Sequence, residues 1–136
     1  MNILKVLTRA RRVGNIGEDA AAALLRRKKY KIVERNYAGP QSEIDIIAEN
    51  RDYTVFVEVK ARSYGDGGTS WESRPAAAVT TEKQAAIIKA AKCYLSYNKQ
   101  DKRVRFDVVE VYLDGDRIKR TVHIENAFRQ EKKGKK

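Results

Sequence analysis

The stretch from Ser42 to Ala61 constrains this chain more than any other, because it reads as two strands joined by a tight polar turn, with charges set inside apolar runs. Ser42 to Glu49 alternates Glu43, Asp45 and Ile47 with Ile44, Ile46 and Ala48, the period-2 pattern of a strand. Tyr53 to Ala61 is rich in β-branched and aromatic residues and carries Glu58 and Lys60 two apart, hence on one face. If Asn50 pairs with Tyr53 across Arg51-Asp52, or Glu49 with Thr54, the same ladder sets Asp45 opposite Glu58 and Glu43 opposite Lys60. Directly opposed carboxylates are unfavourable on a sheet. Either a cation belongs between them, or they join Lys60 in a cross-strand salt-bridge cluster on a solvated face. The run Val55-Phe56-Val57 favours the cation, since it marks a central buried strand where uncompensated charge is costly.

Around this hairpin the chain supplies helices and further strands. From Asn15 to Lys29 the pattern is helical, with Asn15 as a fair N-cap and Glu18 where a capping-box acid would sit. Glu18 also shares a stripe with Ala21, Ala22 and Leu25, so it reads equally as a cap and as an acid facing the core. Residues 30–37 form a strand ended by Ala38-Gly39-Pro40. Residues 63–75 are a Gly-rich loop leaving the Glu58/Lys60 strand, either disordered or a lid with Tyr64 and Trp71 ready to stack on bases. Thr80 to Tyr97 is the longest helix, with Thr81 and Gln84 spaced as a capping box and Ile87, Ile88, Ala91, Tyr94 and Leu95 on its buried face.

Val104 to Leu113 and Arg117 to Ile124 are two more strands around an Asp114-Gly115-Asp116 turn. Asp107 and Glu110 fall on opposite faces and make no second acidic pair. His123 reads as structural, and Phe128 as docking on the core. The organisation is a basic arm over 1–13, helical or flexible, one domain over 14–128, and a basic tail over 129–136 expected to be disordered.

A formal charge of +11 on 136 residues points to a polyanionic partner, with solubility alone as the bland alternative. Nucleic acid fits better than a membrane, because the basic residues are dispersed and no long amphipathic helix carries an aromatic apolar face. Cys93 is the only cysteine and His123 the only histidine, so a disulfide framework and Cys- or His-rich metal sites are excluded and carboxylates are left as ligands. A cytoplasmic location is expected. No run approaches the roughly 20 apolar residues of a membrane span, and Met1–Val13 lacks a signal-type apolar core.

Asp45 followed by Glu58-Val59-Lys60 resembles the motif of the PD-(D/E)xK nuclease superfamily. Gly17-Glu18-Asp19-Ala20-Ala21, Glu43-Ile44-Asp45-Ile46-Ile47, Val55 to Lys60, and Arg105-Phe106-Asp107-Val108-Val109 together look like the YraN family of small bacterial proteins, over roughly residues 12–128. Ser42 stands where family members more often carry Gly. The resemblance implies an α/β fold with a restriction-endonuclease-like α-β-β-β-α-β(β) core, a central mixed sheet flanked by helices. It implies a metal-dependent endonuclease acting on DNA, branched or damaged by analogy with junction resolvases, and it admits a homodimer. Mg²⁺ is the implied cofactor, with Mn²⁺ expected to substitute.

By the same resemblance Asp45, Glu58 and the Val59 carbonyl are the metal ligands and Lys60 acts on the water or the transition-state charge. Glu18 and Glu43 are further candidates near the metal. Lys83 and Gln84 at the start of the long helix, with Arg62, Arg11 and Arg12, are candidates for phosphate contacts, Gln84 serving equally well as a cap. Two other readings stand beside the enzyme: a nucleic-acid-binding module that keeps the fold without cleavage, and a domain whose basic surface meets an acidic protein.

Overall fold

The structure, a computed structural model, describes residues 3–63 and 79–130, with the side chains of the first helix described from Asn15 onward. Seven elements follow in the order α1 (Ile3–Arg27), β1 (Lys31–Ala38), β2 (Glu43–Glu49), β3 (Tyr53–Ser63), α2 (Thr81–Tyr97), β4 (Arg103–Asp114) and β5 (Arg117–Phe128). The strands form one sheet in sequence order. Every neighbouring pair is antiparallel except β3 and β4, which run parallel from Tyr53↔Arg103 to Ser63↔Leu113 because α2 carries the chain back between them. This is the mixed sheet flanked by helices, and the element order, expected of a restriction-endonuclease-like core.

The two helices cover opposite faces, and strand periodicity sorts the core between them. On the α1 face Ala21, Ala22 and Leu25 pack on Ile46, Val55, Val57, Val109 and Val111. On the α2 face Ile87, Ala90, Ala91 and Tyr94 pack on Ile47, Phe56, Phe106, Val108 and Phe128. Phe128 docks as expected, its ring stacked on Phe106 at 5.2 Å between centroids. β3 is the central strand, with Val55 and Phe56 wholly buried.

Two helix starts differ from expectation. The first helix runs from Ile3 through Asn15, so Asn15 is an interior residue and no cap, and Glu18 is no capping-box acid. Residues 3–14 are rich in Leu, Ala, Arg and Lys, good helix formers that carry the helix past a position whose side chain alone favours an end. In α2 the cap is Thr80 rather than Thr81: the Thr80 hydroxyl accepts from the Lys83 N–H at 3.1 Å, and the Gln84 side chain donates to the Val79 carbonyl at 2.9 Å. Tyr64, Trp71 and most of the Gly-rich loop, the arm residues Arg11 and Arg12 as side chains, and residues 131–136 of the tail lie outside the described residues.

Candidate metal-binding active site

The β2–β3 hairpin turns at Asn50, whose N–H donates to the Tyr53 carbonyl at 3.0 Å and whose side chain accepts from the N–H groups of Asp52 and Tyr53 at 2.9 and 2.8 Å. This fixes the register as Glu49↔Thr54 through Ile46↔Val57, the phase that aims Asp45 at Glu58. The ladder goes no further. An unbroken ladder would give the Val59 N–H to the Ile44 carbonyl, but the Asp45 carboxylate takes it at 2.8 Å. The strands part here, and Ile44 joins the α2-side core instead of following Ile46 to the α1 side.

The break brings an acid pair and two lysines together. Asp45 and Glu58 are close enough to share a hydrogen bond, and Glu58 itself is buried. Lys60 Nζ approaches Glu58 Oε2 at 3.7 Å from the same strand, and Lys83 Nζ approaches the same oxygen at 3.9 Å from the first turn of α2. Burial pushes the Asp45 carboxyl up from 3.8 to about 7, and the charge of Glu58 adds to the rise, against the Val59 N–H and Lys83, which hold it down. A carboxyl pair under such strain is a hard-oxygen donor set that a divalent cation would relieve. In an extended strand a residue's N–H and carbonyl face the same neighbour, so the Val59 carbonyl lies on the Asp45 side of β3 as well.

Other residues implied by the resemblance fall elsewhere. Glu43 is exposed, and the β2–β3 ladder stops at Ile46↔Val57, so the expected Glu43/Lys60 pairing does not form. Glu18 reaches the β1 edge, where Arg35 donates to it at 3.3 Å and the Asn36 amide nitrogen, oriented to satisfy both groups, lies 3.1 Å from its second oxygen. Among the described residues no three of His, Cys, Asp and Glu come together as potential ligands, so the acids of the site are two. Gly17 explains why α1 nonetheless runs close to the site strand: a Cβ there would meet the Ala61 Cβ at 3.1 Å. Gln84 serves as a cap.

Sequence reasoning missed Glu110. It is buried on the site's side of β4, in register with Lys60, and holds Arg62 at 3.3 Å while accepting from the Tyr112 hydroxyl at 3.0 Å. Arg62 is thereby fixed two residues beyond Lys60, extending the basic rim of the site. Only the parallel β3–β4 register reveals this, and a sequence does not carry it.

The sequence profile of the uncharacterised protein family UPF0102 matches residues 17–111. The chain belongs to this family. The UPF0102 match takes in Glu18, Asp45, Glu58, Lys60, Arg62, Lys83 and Glu110, so the whole candidate site lies within it. A UPF0102 protein of Caldanaerobacter subterraneus subsp. tengcongensis is 41% identical over 119 residues, covering 85% of this chain and 93% of the relative. One from Acetivibrio thermocellus is 44% identical over 124 residues, 87% of this chain and 92% of the relative. One from Moorella thermoacetica is 44% identical over 124 residues, 90% and 98% of the two chains. UPF0102 is the family that the YraN-like motifs indicate. No helix among the described residues is long and apolar enough to cross a membrane.

Proposed function

We propose that the protein is a metal-dependent endonuclease-like enzyme that hydrolyses DNA phosphodiester bonds, with branched or damaged DNA as the substrate class. The observation that carries this reading is the meeting of the Asp45 and Glu58 carboxyls at the parting of β2 and β3, flanked by Lys60 and Lys83. Asp45, Glu58 and the Val59 carbonyl would hold Mg²⁺ or Mn²⁺. The cation would supply Lewis acidity at a phosphoryl oxygen and a more acidic bound water.

The chain's own residues do the rest. The Val59 N–H fixes the Asp45 carboxylate, which leaves its second oxygen for a ligand. Lys60, half-exposed beside Glu58, is placed to orient the attacking water or to donate to a non-bridging oxygen as charge builds on it. Lys83 and the Glu110-held Arg62 supply positive charge on two sides of the same face, where backbone phosphates would be gripped. The net charge of +11 steers a polyanion to it.

A second reading, a nucleic-acid-binding relative without cleavage, is favoured by one observation: among the described residues the acids of the site number two, with Glu18 engaged by Arg35 and Asn36. Incubation of labelled duplex, single-stranded, flap and four-way-junction DNA with Mg²⁺ or Mn²⁺ separates the two. The enzyme reading expects cutting that Asp45→Asn and Lys60→Ala each abolish. Binding without cutting, unchanged in Asp45→Asn, would leave the module.

A further inference from the structure

At the opposite end of the sheet from Lys60, a cleft of about 870 Å³ opens between the starts of β3 and β4 and the end of β5. Tyr53, Arg103, Val104, Arg105, Asn126 and Arg129 line it. Glu58 is five residues along β3 from Tyr53, so the cleft lies about 17 Å from the candidate active site at the usual rise of a strand. It plays no part in that chemistry.

The charges in the cleft are not all spent on structure. Arg105 is committed: it makes a two-pronged contact with the buried Asp107 carboxylate, at 2.9 Å on each oxygen, and also donates to the Tyr30 hydroxyl. Glu125 is divided between Arg105 at 3.7 Å and Lys28 at 3.5 Å. Arg103 and Arg129 are exposed and have no carboxylate partner among the described residues. Two solvent-facing guanidinium groups thus flank a hollow whose one acid among the described residues, Glu125, is already doubly paired. The Arg103 guanidinium also lies over the Tyr53 ring, 5.3 Å from its centroid, with Arg105 over the same ring at 4.7 Å. This stack is a platform for another planar group.

A second hollow of about 300 Å³ continues from the first across Val104, Asn126 and Arg129 onto the α2 face, where Ile88, Leu95 and Phe106 give it an apolar floor and Lys92 a cation. Both volumes fall within the range for small-ligand sites, about 300–1,000 Å³. Alternating cations and apolar or stacking surface over adjoining hollows is what successive nucleotide units of a strand require: phosphates to the arginines, bases to Tyr53 and to the apolar floor.

We infer that this cleft is a second nucleic-acid contact, in which Arg103 and Arg129 hold the phosphate of a nucleotide whose base lies against the Arg103–Tyr53 stack, remote from the cleavage site. The inference shares with the proposed function the premise that nucleic acid is the partner, but it does not need the protein to cut. A free mononucleotide presents the same phosphate-and-base chemistry as one unit of a strand. The continuation into the second hollow is the reason to expect the strand.

The test is binding of a fluorescein-labelled dT10 to the full chain in EDTA, by anisotropy, at several salt concentrations. Wild type is compared with the double variant Arg103→Ser/Arg129→Ser and with Lys89→Ser/Arg117→Ser, which removes two exposed charges from the outside of α2 and the β4–β5 turn. All four positions are exposed, and matching melting curves check that the variants fold. The cleft variant should bind about tenfold more weakly at low salt, and its log–log salt slope should shrink by about 0.7, the value for one neutralised phosphate of a single strand. The control pair should change neither by more than a small fraction of that. Competition by thymidine monophosphate matching unlabelled dT10 mole for mole would assign the cleft to a free nucleotide and overturn the strand. Equal losses in the two double variants, or none in the cleft variant, would overturn the site. Because EDTA removes cleavage from the readout, failure here leaves the Asp45 site untouched, and an inactive Asp45 site leaves this result standing.

Discussion

Replacing Asp45 by Asn should stabilise the protein when no divalent cation is present. The Asp45 carboxyl is raised from 3.8 to about 7 in the folded chain, first by burial and then by Glu58. A group that holds its proton more tightly when folded makes the folded state less stable as pH rises. The cost is absent below pH 3.8, grows between there and pH 7, and is full above it. About three units at 1.36 kcal/mol each give a ceiling near 4 kcal/mol. Asp45 is only half-buried and shares the strain with Glu58, so about 2 kcal/mol is the working figure. Asn keeps the shape and an oxygen for the Val59 N–H, and its amide nitrogen can donate to Glu58. Thermal melts in EDTA at pH 8 should therefore place Asp45→Asn about 6–10 °C above wild type, a gain that fades as pH falls towards 4. A variant less stable than wild type at pH 8, or a gain that grows on acidification, would refute the reasoning.

Other perturbations have definite outcomes. Asp107 is held below the ordinary carboxylate range: burial acts to raise it, and bonds from His123, Arg105 and the Asn126 N–H overcome that. Its contribution is present above the ordinary carboxylate value and is lost as pH falls through that value and below, so acid melts of wild type should steepen there while those of Asp107→Asn do not. Asp107→Ala also strands Arg105 and should cost about 3–5 kcal/mol in urea unfolding. Glu110→Ala should cost about 2–3 kcal/mol by the same measurement and weaken DNA binding by freeing Arg62. Gly39→Ala should lower stability by about 1–3 kcal/mol, since a Cβ there would sit 2.3 Å from the Ala90 Cβ and 2.8 Å from the Ser42 carbonyl oxygen.

What the sequence made legible follows from which forces are local. The hairpin and its register were readable because a period-2 pattern and an Asn50 turn leave few alternatives, and that register aims Asp45 at Glu58. The parting of the strands was not readable, since it depends on one side chain outcompeting a backbone carbonyl for the Val59 N–H. Nor was the Asp107 network: Arg105 and Asp107 stand two apart on one strand, a visible signal of a shared face, but His123 and Tyr30 reach them only through the tertiary fold. His123 is structural as its sequence context suggested. Its Nε2 lies 2.7 Å from Asp107, and its Nδ1 2.7 Å from the Lys28 ammonium, so both ring nitrogens are engaged. Glu43 looked equivalent to Asp45 by periodicity, but the β2–β3 ladder ends at Ile46, before both, and Asp45 alone keeps hold of β3, through the Val59 N–H, while Glu43 is exposed. At the ends of helices the local signals were weakest: two adjacent threonines offered the same cap chemistry, and the backbone chose Thr80.

The central claim is that the Asp45–Glu58 pair is a divalent-cation site. Calorimetric titration of the full chain with Mn²⁺ and then Mg²⁺ at pH 8 addresses it without any substrate. One saturable site per chain is expected, and loss of that site in Asp45→Asn and in Glu58→Gln. Absence of binding in wild type, or equal binding in Asp45→Asn, would contradict it.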